Sequence, residues 1–537
     1  MLSRYVFYLL LARPLVACRQ ELLISTMQAE LSKGSAFLFH NMKKIYLLFT
    51  FMTFVIISVC AKEFDPLTTP LTVEAIENGT TITFSNPLKL NIYYSTDDGE
   101  TWQSDNKTTI TIGEIGAGNK VCFVGDNPAY GKYVNFQGVL KENCSNINFN
   151  KNCFVYGNIM SLISSRNYAT ETELTADYVF SFLFSKNSHL LAHSTKALAL
   201  PATKLSKGCY FAMFSGCVNL VSAPVLPATT MADGCYMRMF EDCSGLISAP
   251  ELPATTLDFS CYDWMFIRCS SMTTAPSVLP ATILVNGCYG AMFAYCTSLT
   301  EAPQLSATTM DVSSCNSMFT GCSSLIVAPE LPATTLADGC YAWMFSDCSS
   351  LTTPPDLPAI TLADGCYCGM FEGCSNLVTA PDLPATILEA KCYRRMFMGC
   401  TNLKVAPDLP AATLADYSYF NMFTDCINLN YVKCLAKDIS AVECTKNWLS
   451  NVAATGTFVK AEDMQFWTMG ANGIPEGWTT ENVTGITGIR PTDTFAPTIY
   501  DMNGRRIDSP MRKGIYIVDG QKSMIKVGSS GHNINKW

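Results

Sequence analysis

Apolar positions recur along the middle of the chain with a period of 25 to 27 residues. In one copy of the unit, Cys235, Met239 and Cys243 are spaced i, i+4 and i+8, which predicts one buried face of a short helix. Asp233 stands just before this stretch and is the expected N-cap.

The second half of the unit predicts a strand. The segment "LISAPELPA" at 246–254 holds Pro250 and Pro253, so an extended strand that turns at the second proline is expected there. Each unit is then one short strand and one or two helical turns. Stacked units predict an α/β repeat solenoid, with a curved parallel sheet on one side and helices on the other.

The array is longer than its clean copies. The first cysteine of the unit falls at 209, 235, 261, 288, 315, 340, 366 and 392. Degenerate copies at 176–190, 415–429 and 441–452 bring the total to about eleven units of about 26 residues, within 151–452. The unit at 315–322 has its cysteines seven apart and Asn316 in place of tyrosine, which predicts a local defect in its helix.

Disulfides, a metal row and packing are the candidate roles for the paired cysteines. In two of the degenerate copies one cysteine is lost without its partner, at Ser418 and at Val452. Helical positions eight apart are also about 12 Å from each other, too far for a disulfide. Buried, reduced packing residues are therefore favoured, with bridges between adjacent coils and a metal row as the alternatives. The residues concerned are Cys209, Cys217, Cys235, Cys243, Cys261, Cys269, Cys288, Cys296, Cys340, Cys348, Cys366, Cys374, Cys392 and Cys400.

Both flanks of the array have β patterns. Residues 67–150 contain "TTITF", "NIYYS", "TTITI" and "NKVCFVG" between Gly, Asn and Asp, which predicts a β-sandwich. Inside it, "STDDGETW" at 95–102 matches the Asp-box of sialidases, a hairpin turn without a catalytic group. Residues 485–530 hold two more β-rich stretches around a glycine turn and predict a small β domain.

The start of the chain predicts export. Residues 42–61 have a basic start, an apolar run of about 16 residues and small residues at the end, as in a secretory signal peptide. The run is short for a membrane span of about 20 residues. Cleavage after Ala61 is favoured over lipidation of Cys60, because Val59 is bulky for a lipoprotein site. Translation is expected to begin at Met42, which makes 1–41 an upstream or misassigned start.

Charge and composition limit the classes of function that the chain can have. Charged residues make up 15% of the chain and the net charge is −9, so nothing predicts a nucleic-acid partner. None of the four histidines lies in the clean repeats. The repeats therefore offer no imidazole as a general base or zinc ligand, and no nucleophile or paired-carboxylate motif is present. We expect no catalysis and no cofactor.

The repeat unit, "MFxxCxxLxxAPxLP", resembles that of the BspA-like leucine-rich repeat surface proteins of Bacteroidales, over about 150–480. The stretch 453–482 looks like the closing cap of that family. "TIYDMNGRRI" (498–507) and "KGIYIVDGQKSMIKV" (513–527) resemble a type A sorting domain of type IX secretion substrates, here followed by ten further residues. These resemblances imply display outside the bacterial cell, contact with the type IX secretion machinery, and adhesion to host proteins or other cells.

A candidate binding stripe lies in the strand half of the unit. The variable residue of "APxLP" is acidic in five units, whereas Val225, Ser277 and Gln304 fill the others. Strands about 4.8 Å apart would align these residues as a column. It is either a solvated face or a docking stripe for a basic ligand or Ca²⁺. The acidic residues are Glu251, Glu330, Asp356, Asp382 and Asp408.

The sequence thus predicts a secreted adhesion or protein-interaction protein that uses its repeat face. A surface glycan-capture protein, which needs exposed aromatic side chains in a row, is the first alternative. A structural component of a surface coat is the second. Tyr236, Trp264, Trp343 and Tyr367, on the predicted helical side, are expected to pack and not to form such a row.

Overall fold

The fold is taken from a computed structural model that describes residues 64–132, 143–464 and 467–483, and the backbone of five strands between 499 and 536. The predicted signal peptide at 42–61 and the segment 1–41 lie outside the described residues.

The chain begins with two antiparallel sheets in the range where the sandwich was predicted. The larger runs β4–β3–β6–β1–β8, and the smaller runs β5–β2–β7. Alternate residues point inward, so β2 and β5 bury Ile82, Phe84, Ile110 and Ile112, while Thr109 and Thr111 of β5 are exposed. The strands are β1 Leu71–Ala75, β2 Thr80–Ser85, β3 Ile92–Ser95, β4 Gln103–Asp105, β5 Thr109–Ile115, β6 Lys120–Val124, β7 Asn146–Phe149 and β8 Cys153–Asn158.

The larger sheet continues into the repeats. After a 3₁₀ turn at Ile159–Leu162, β9 (Leu190–Ala192) and β10 (Leu198–Ala199) both pair in parallel with β8. The first coil of the solenoid therefore extends the sheet of the N-terminal domain, and one hydrophobic core runs from that domain through the repeats. The N-terminal domain closes the end of the solenoid that would otherwise expose its core.

The predicted helices are wrong: the described residues contain no α-helix. Each coil forms a run of four-residue turns, in which Gly234, Arg238 and Asp242 have positive φ of 55°, 57° and 58°. The triad recurs in each coil from 178 to 451. A left-handed residue at every fourth position is incompatible with an α-helix but is what type II turns require at their third residue.

The backbone of these turns is bonded in two directions. The Met239 amide closes a turn onto the carbonyl of Tyr236 at 3.1 Å, whereas the Tyr236 amide donates to Cys261 of the next coil at 3.0 Å. Successive amides of the segment alternate between these two kinds of hydrogen bond, so the turns of each coil are hydrogen-bonded to the next coil. Over eight residues the turn period of four resembles the helical period of 3.6, which explains the error.

The predicted parallel sheet is reduced to short bridges. Ser222, Ser248 and Thr274 form one chain of parallel bridges, and the two-residue strands β11 (Val278–Leu279) and β12 (Gln304–Leu305) form another pair. Proline at two positions of the strand half removes backbone donors, so a continuous ladder cannot form.

Aromatic rings stack along the core. One phenylalanine of each coil from Phe184 to Phe423 forms a continuous stack, with ring centroids 5.4–5.8 Å apart. A parallel stack of tyrosines runs from Tyr210 to Tyr289 and again from Tyr341 to Tyr419. Each stacked pair contributes roughly 0.5–1.5 kcal/mol beyond its buried area.

The backbone defect predicted at 315–322 is wrong, and the coil differs from the others only by a gap in the tyrosine stack. The amide of Cys315 donates to Cys340 as the tyrosines of other coils do, and positive φ occurs at 313, 317 and 321 in unbroken register. Cys315 therefore occupies the tyrosine position and Ser314 the first cysteine position. The backbone is regular, and only the side chains change.

The end of the array is closed by a parallel sheet, β13 (Tyr431–Cys434), β14 (Thr457–Lys460) and β15 (Thr479–Asn482). The indole of Trp448 stacks on Tyr419 and donates to the carbonyl of Gly473 at 2.9 Å. The last five strands form a separate antiparallel sheet in the order β17–β16–β18–β19–β20. They are β16 Ile499–Tyr500, β17 Arg506–Ile507, β18 Gly514–Val518, β19 Gln521–Gly528 and β20 Gly531–Lys536. The tail beyond Val527 is thus mostly the edge strand β20, paired with β19.

Candidate functional site

The second cysteine of each unit makes a repeated hydrogen bond. Cys243 Sγ donates to the carbonyl of Phe214 in the preceding coil at 3.1 Å. At the same position in the first coil, Asn187 Nδ2 donates to the carbonyl of Ile147 at 3.1 Å. The same bond recurs, at 3.0–3.2 Å, from Cys217, Cys269, Cys296, Cys322, Cys348, Cys374, Cys400 and Cys426.

The thiols have no reactive character. Every cysteine in the described part of the chain is buried and outside any disulfide, including Cys122, Cys144 and Cys153 of the N-terminal domain. Burial raises the pKa of the Cys243 and Cys269 thiols well above the usual value, so the thiolate is disfavoured. Among the described residues, no group of three or more His, Cys, Asp or Glu is arranged to hold a metal ion.

The acidic stripe lies on the strand side, one residue per coil. Glu251, Glu330, Asp356 and Asp382 are exposed, and Asp408 is half-buried. The assignment of Ser277 to this column is wrong, because Val278 pairs with Gln304 and Ser277 is the extra residue of a 27-residue unit.

Two members of the stripe have local partners. Ser277 donates its backbone N–H and its hydroxyl to the Glu251 carboxylate, at 3.0–3.3 Å. Asp408 pairs with Lys433 of the following coil at 2.7 Å. The column from Glu330 to Asp382 lies between these tethered ends.

Exposed aliphatic side chains flank the stripe on both sides. Four residues after the second cysteine stand Val221, Ile247, Ile326 and Val378, each 47–50% exposed. On the other side, two adjacent residues of each coil are mostly threonines. Ile360 and Ile387 take the place of a threonine there and are 69% and 75% exposed. The strand segments of seven successive coils together hold eight carboxylates and no Lys or Arg. These segments are 221–232, 247–258, 273–285, 300–311, 326–337, 352–363 and 378–389. We call this acidic and aliphatic surface the strand face.

The aromatic side chains do not form an exposed row in the described residues. Tyr236 and Tyr367 are fully buried in the tyrosine stack. Trp264 is half-buried beneath the Arg238 guanidinium, 4.1 Å from the ring centroid. Trp343 covers the backbone of Gly369 in the next coil, where a Cβ would lie 2.4 Å from the indole.

The Asp-box sequence is a hairpin turn between β3 and β4. Asp97 accepts the backbone N–H of Thr101 at 2.9 Å and its hydroxyl at 2.6 Å, and it also bonds Ser95. These hydrogen bonds lower the pKa of Asp97 to about 2. All of its bonds lie within the turn.

A pocket that the sequence reading missed lies where the N-terminal domain meets the repeats. The cavity has a volume of about 470 Å³, and its walls are mainly aliphatic. Lining residues include Leu67, Leu190, Leu198, Leu220, Pro224 and Val225. One wall is the bulge 193–197, an insertion in the first coil. The interval of 30 residues from Val179 to Cys209, against 25 to 27 elsewhere, could have revealed it.

The bulge is held against the N-terminal sheet by polar contacts. Lys196 Nζ donates to Glu74 at 2.6 Å, and the Tyr156 hydroxyl donates to the same carboxylate oxygen at 2.7 Å. Burial would raise the pKa of Glu74, but these hydrogen bonds outweigh it and lower the pKa. His193 Nδ1 accepts the amides of Thr195 and Lys196 at 3.1 Å, and burial lowers the His193 pKa. The wall is therefore preformed.

No family model matches the chain, and no curated protein matches it. Among solved structures it is similar to a leucine-rich repeat protein from Bacteroides ovatus, with 18% identity over 56% of this chain and 92% of that one and a TM-score of 0.22. It is also similar to a leucine rich cell surface protein from Faecalibacterium prausnitzii, with 14% identity, 56% and 93% coverage and a TM-score of 0.25. Superpositions this loose define no common architecture.

Among the described residues, no helix has the length and apolar character to cross a bilayer.

Proposed function

We propose that the protein is an exported surface protein that binds protein ligands of host or neighbouring cells through its strand face, without catalysis. The observation that supports this proposal is the strand face, where exposed aliphatic residues flank an acidic column. The coils that present it are hydrogen-bonded to one another. Exposed apolar side chains beside a charged column suit the contact with a protein ligand, because exposed apolar patches rimmed by polar residues mark interaction sites. A rigid backbone also lowers the entropy cost of binding.

Export and retention complete the proposal. The segment 42–61 would direct secretion, and the C-terminal β domain would serve as the address for the type IX machinery. Both assignments rest on sequence resemblance, and neither domain is proposed to contact the ligand. The glycan-capture alternative has less support, because the stacked tyrosines are buried.

The test is binding of the purified chain to a panel of host matrix proteins and glycans. A variant with Glu330, Asp356, Asp382 and Asp408 changed to lysine is compared, after circular dichroism shows that it is folded. We expect a protein ligand that the wild type binds and the variant does not. Binding only to glycans, or equal binding by both proteins, would contradict the proposal.

A further inference from the structure

The junction pocket and the acidic stripe lie on one line. Val225 lines the pocket and is 76% exposed. It also occupies the stripe position of its coil, two residues before Pro227, as Glu251 stands two residues before Pro253 in the next. The stripe therefore begins at an apolar pocket, passes Glu251 and the uncharged Val278 and Gln304, and is acidic in every coil from Glu330 to Asp408.

We infer that this groove binds an extended polypeptide that carries one apolar anchor residue followed by a run of basic residues. The inference rests on the proposed function and specifies its ligand. The pocket walls are aliphatic and its only nearby cation, Lys196, is already paired with Glu74, so the end of the groove favours an uncharged apolar side chain. The strand segments from Ile247 to Glu389 carry carboxylates and no Lys or Arg, so a basic chain matches their charge, and the first cation beyond them is Lys404 in the coil of Asp408.

The length of the groove fits a short peptide segment. Seven coil steps of about 4.8 Å separate Val225 from Asp408, or about 34 Å, which about ten extended residues span. The aliphatic side chains beside the stripe, such as Ile247 and Ile326, would contact the stems of lysine or arginine side chains. Lys433 pairs with Asp408 and supplies a positive charge that ends the acidic column.

The probe is a fluorescent ten-residue peptide with leucine at one end and lysine at alternate positions, made in both orientations. Fluorescence anisotropy measures its binding to the full chain. A peptide with glutamate in place of lysine and one with glycine in place of leucine are the ligand controls. Two variants test the two parts of the groove. Val225→Asp places a charge at the pocket, and an isosteric quadruple variant neutralises the stripe by Glu330→Gln, Asp356→Asn, Asp382→Asn and Asp408→Asn.

Matched variants control for folding and net charge. Ile427→Asp changes another aliphatic residue that is 50% exposed but lies off the strand face. The second control removes four carboxylates elsewhere, by Asp177→Asn, Asp347→Asn, Glu462→Gln and Glu476→Gln.

We expect the lysine peptide with leucine to bind, and the neutral stripe to weaken it about tenfold or more while reducing its salt dependence. Val225→Asp should weaken that peptide but leave the glycine peptide unchanged. Equal binding by the stripe variant and its control, or no effect of Val225→Asp on the leucine peptide, would overturn the inference. A host protein that still binds the strand face in either case would leave the proposed function standing.

Discussion

The half-buried carboxylate of Asp263 predicts a pH dependence that one substitution should remove. Asp263 lies on the turn side, packed against the backbone of Gly290 in the next coil, where a Cβ would be 2.6 Å from its carboxylate oxygen. Burial raises its pKa from 3.8 to about 7, although the nearby Arg238 guanidinium opposes the shift. At neutral pH the folded protein therefore holds this group close to half protonated.

The magnitude follows from linkage. A raised pKa means that the folded state binds the proton more tightly than the unfolded chain, so stability is full below pH 4 and is lost as the pH rises through 7. A shift of about 3 units corresponds to at most about 4 kcal/mol. Asp263→Asn, which is neutral at every pH, should therefore unfold at higher denaturant than the wild type at pH 8 and similarly at pH 4.

Urea unfolding at several pH values between 4 and 9 measures the difference. Asp258→Asn, which removes an exposed carboxylate of the same coil, is the control for net charge. Wild-type and Asp263→Asn curves that keep a constant separation across this range would refute the reasoning, because they would show that Asp263 ionises freely in the folded state.

Three further predictions test the repeat architecture. Cys243→Asn should be tolerated, as Asn187 is in the first coil, whereas Cys243→Val should lose the bond to Phe214 and about 1 kcal/mol in urea unfolding; equal losses would contradict the donor role. Replacing Ser314 and Cys315 together by Cys and Tyr should raise the thermal midpoint by completing the tyrosine stack, and a lowered midpoint would show that the gap is already filled. Asp97→Ala should speed amide hydrogen exchange at Thr101, while the neighbouring Asp98→Ala should not.

The repeat period could be predicted because it depends on residue spacing alone, and the strand half could be predicted only as far as the short bridges between coils. The turn half could not, since residues at i, i+4 and i+8 serve a stack of turns as well as a helix over so short a stretch. No feature of the sequence indicates the positive φ of Arg238 or Trp264, because the hydrogen bonds between coils impose it. Only Gly234 and its equivalents hinted at left-handed backbone.

The site was predicted in part. The sequence assigned the carboxylates from Glu330 to Asp408 to one equivalent position in each coil, but it placed Ser277 where Val278 stands. The junction pocket depends on contacts between the bulge and strands far away in sequence, such as Lys196 with Glu74, which no local pattern reveals. Whether the stripe binds a ligand stays a prediction.

Hydrogen exchange of the full chain with and without its bound protein ligand tests the central claim most directly. The account predicts protection in the strand segments, at 221–230, 247–256, 326–335, 352–361 and 378–387, with the turn segments unchanged. Protection confined to the turn segments, such as 234–243 and 339–348, or to the N-terminal sheets would contradict the strand face as the binding surface.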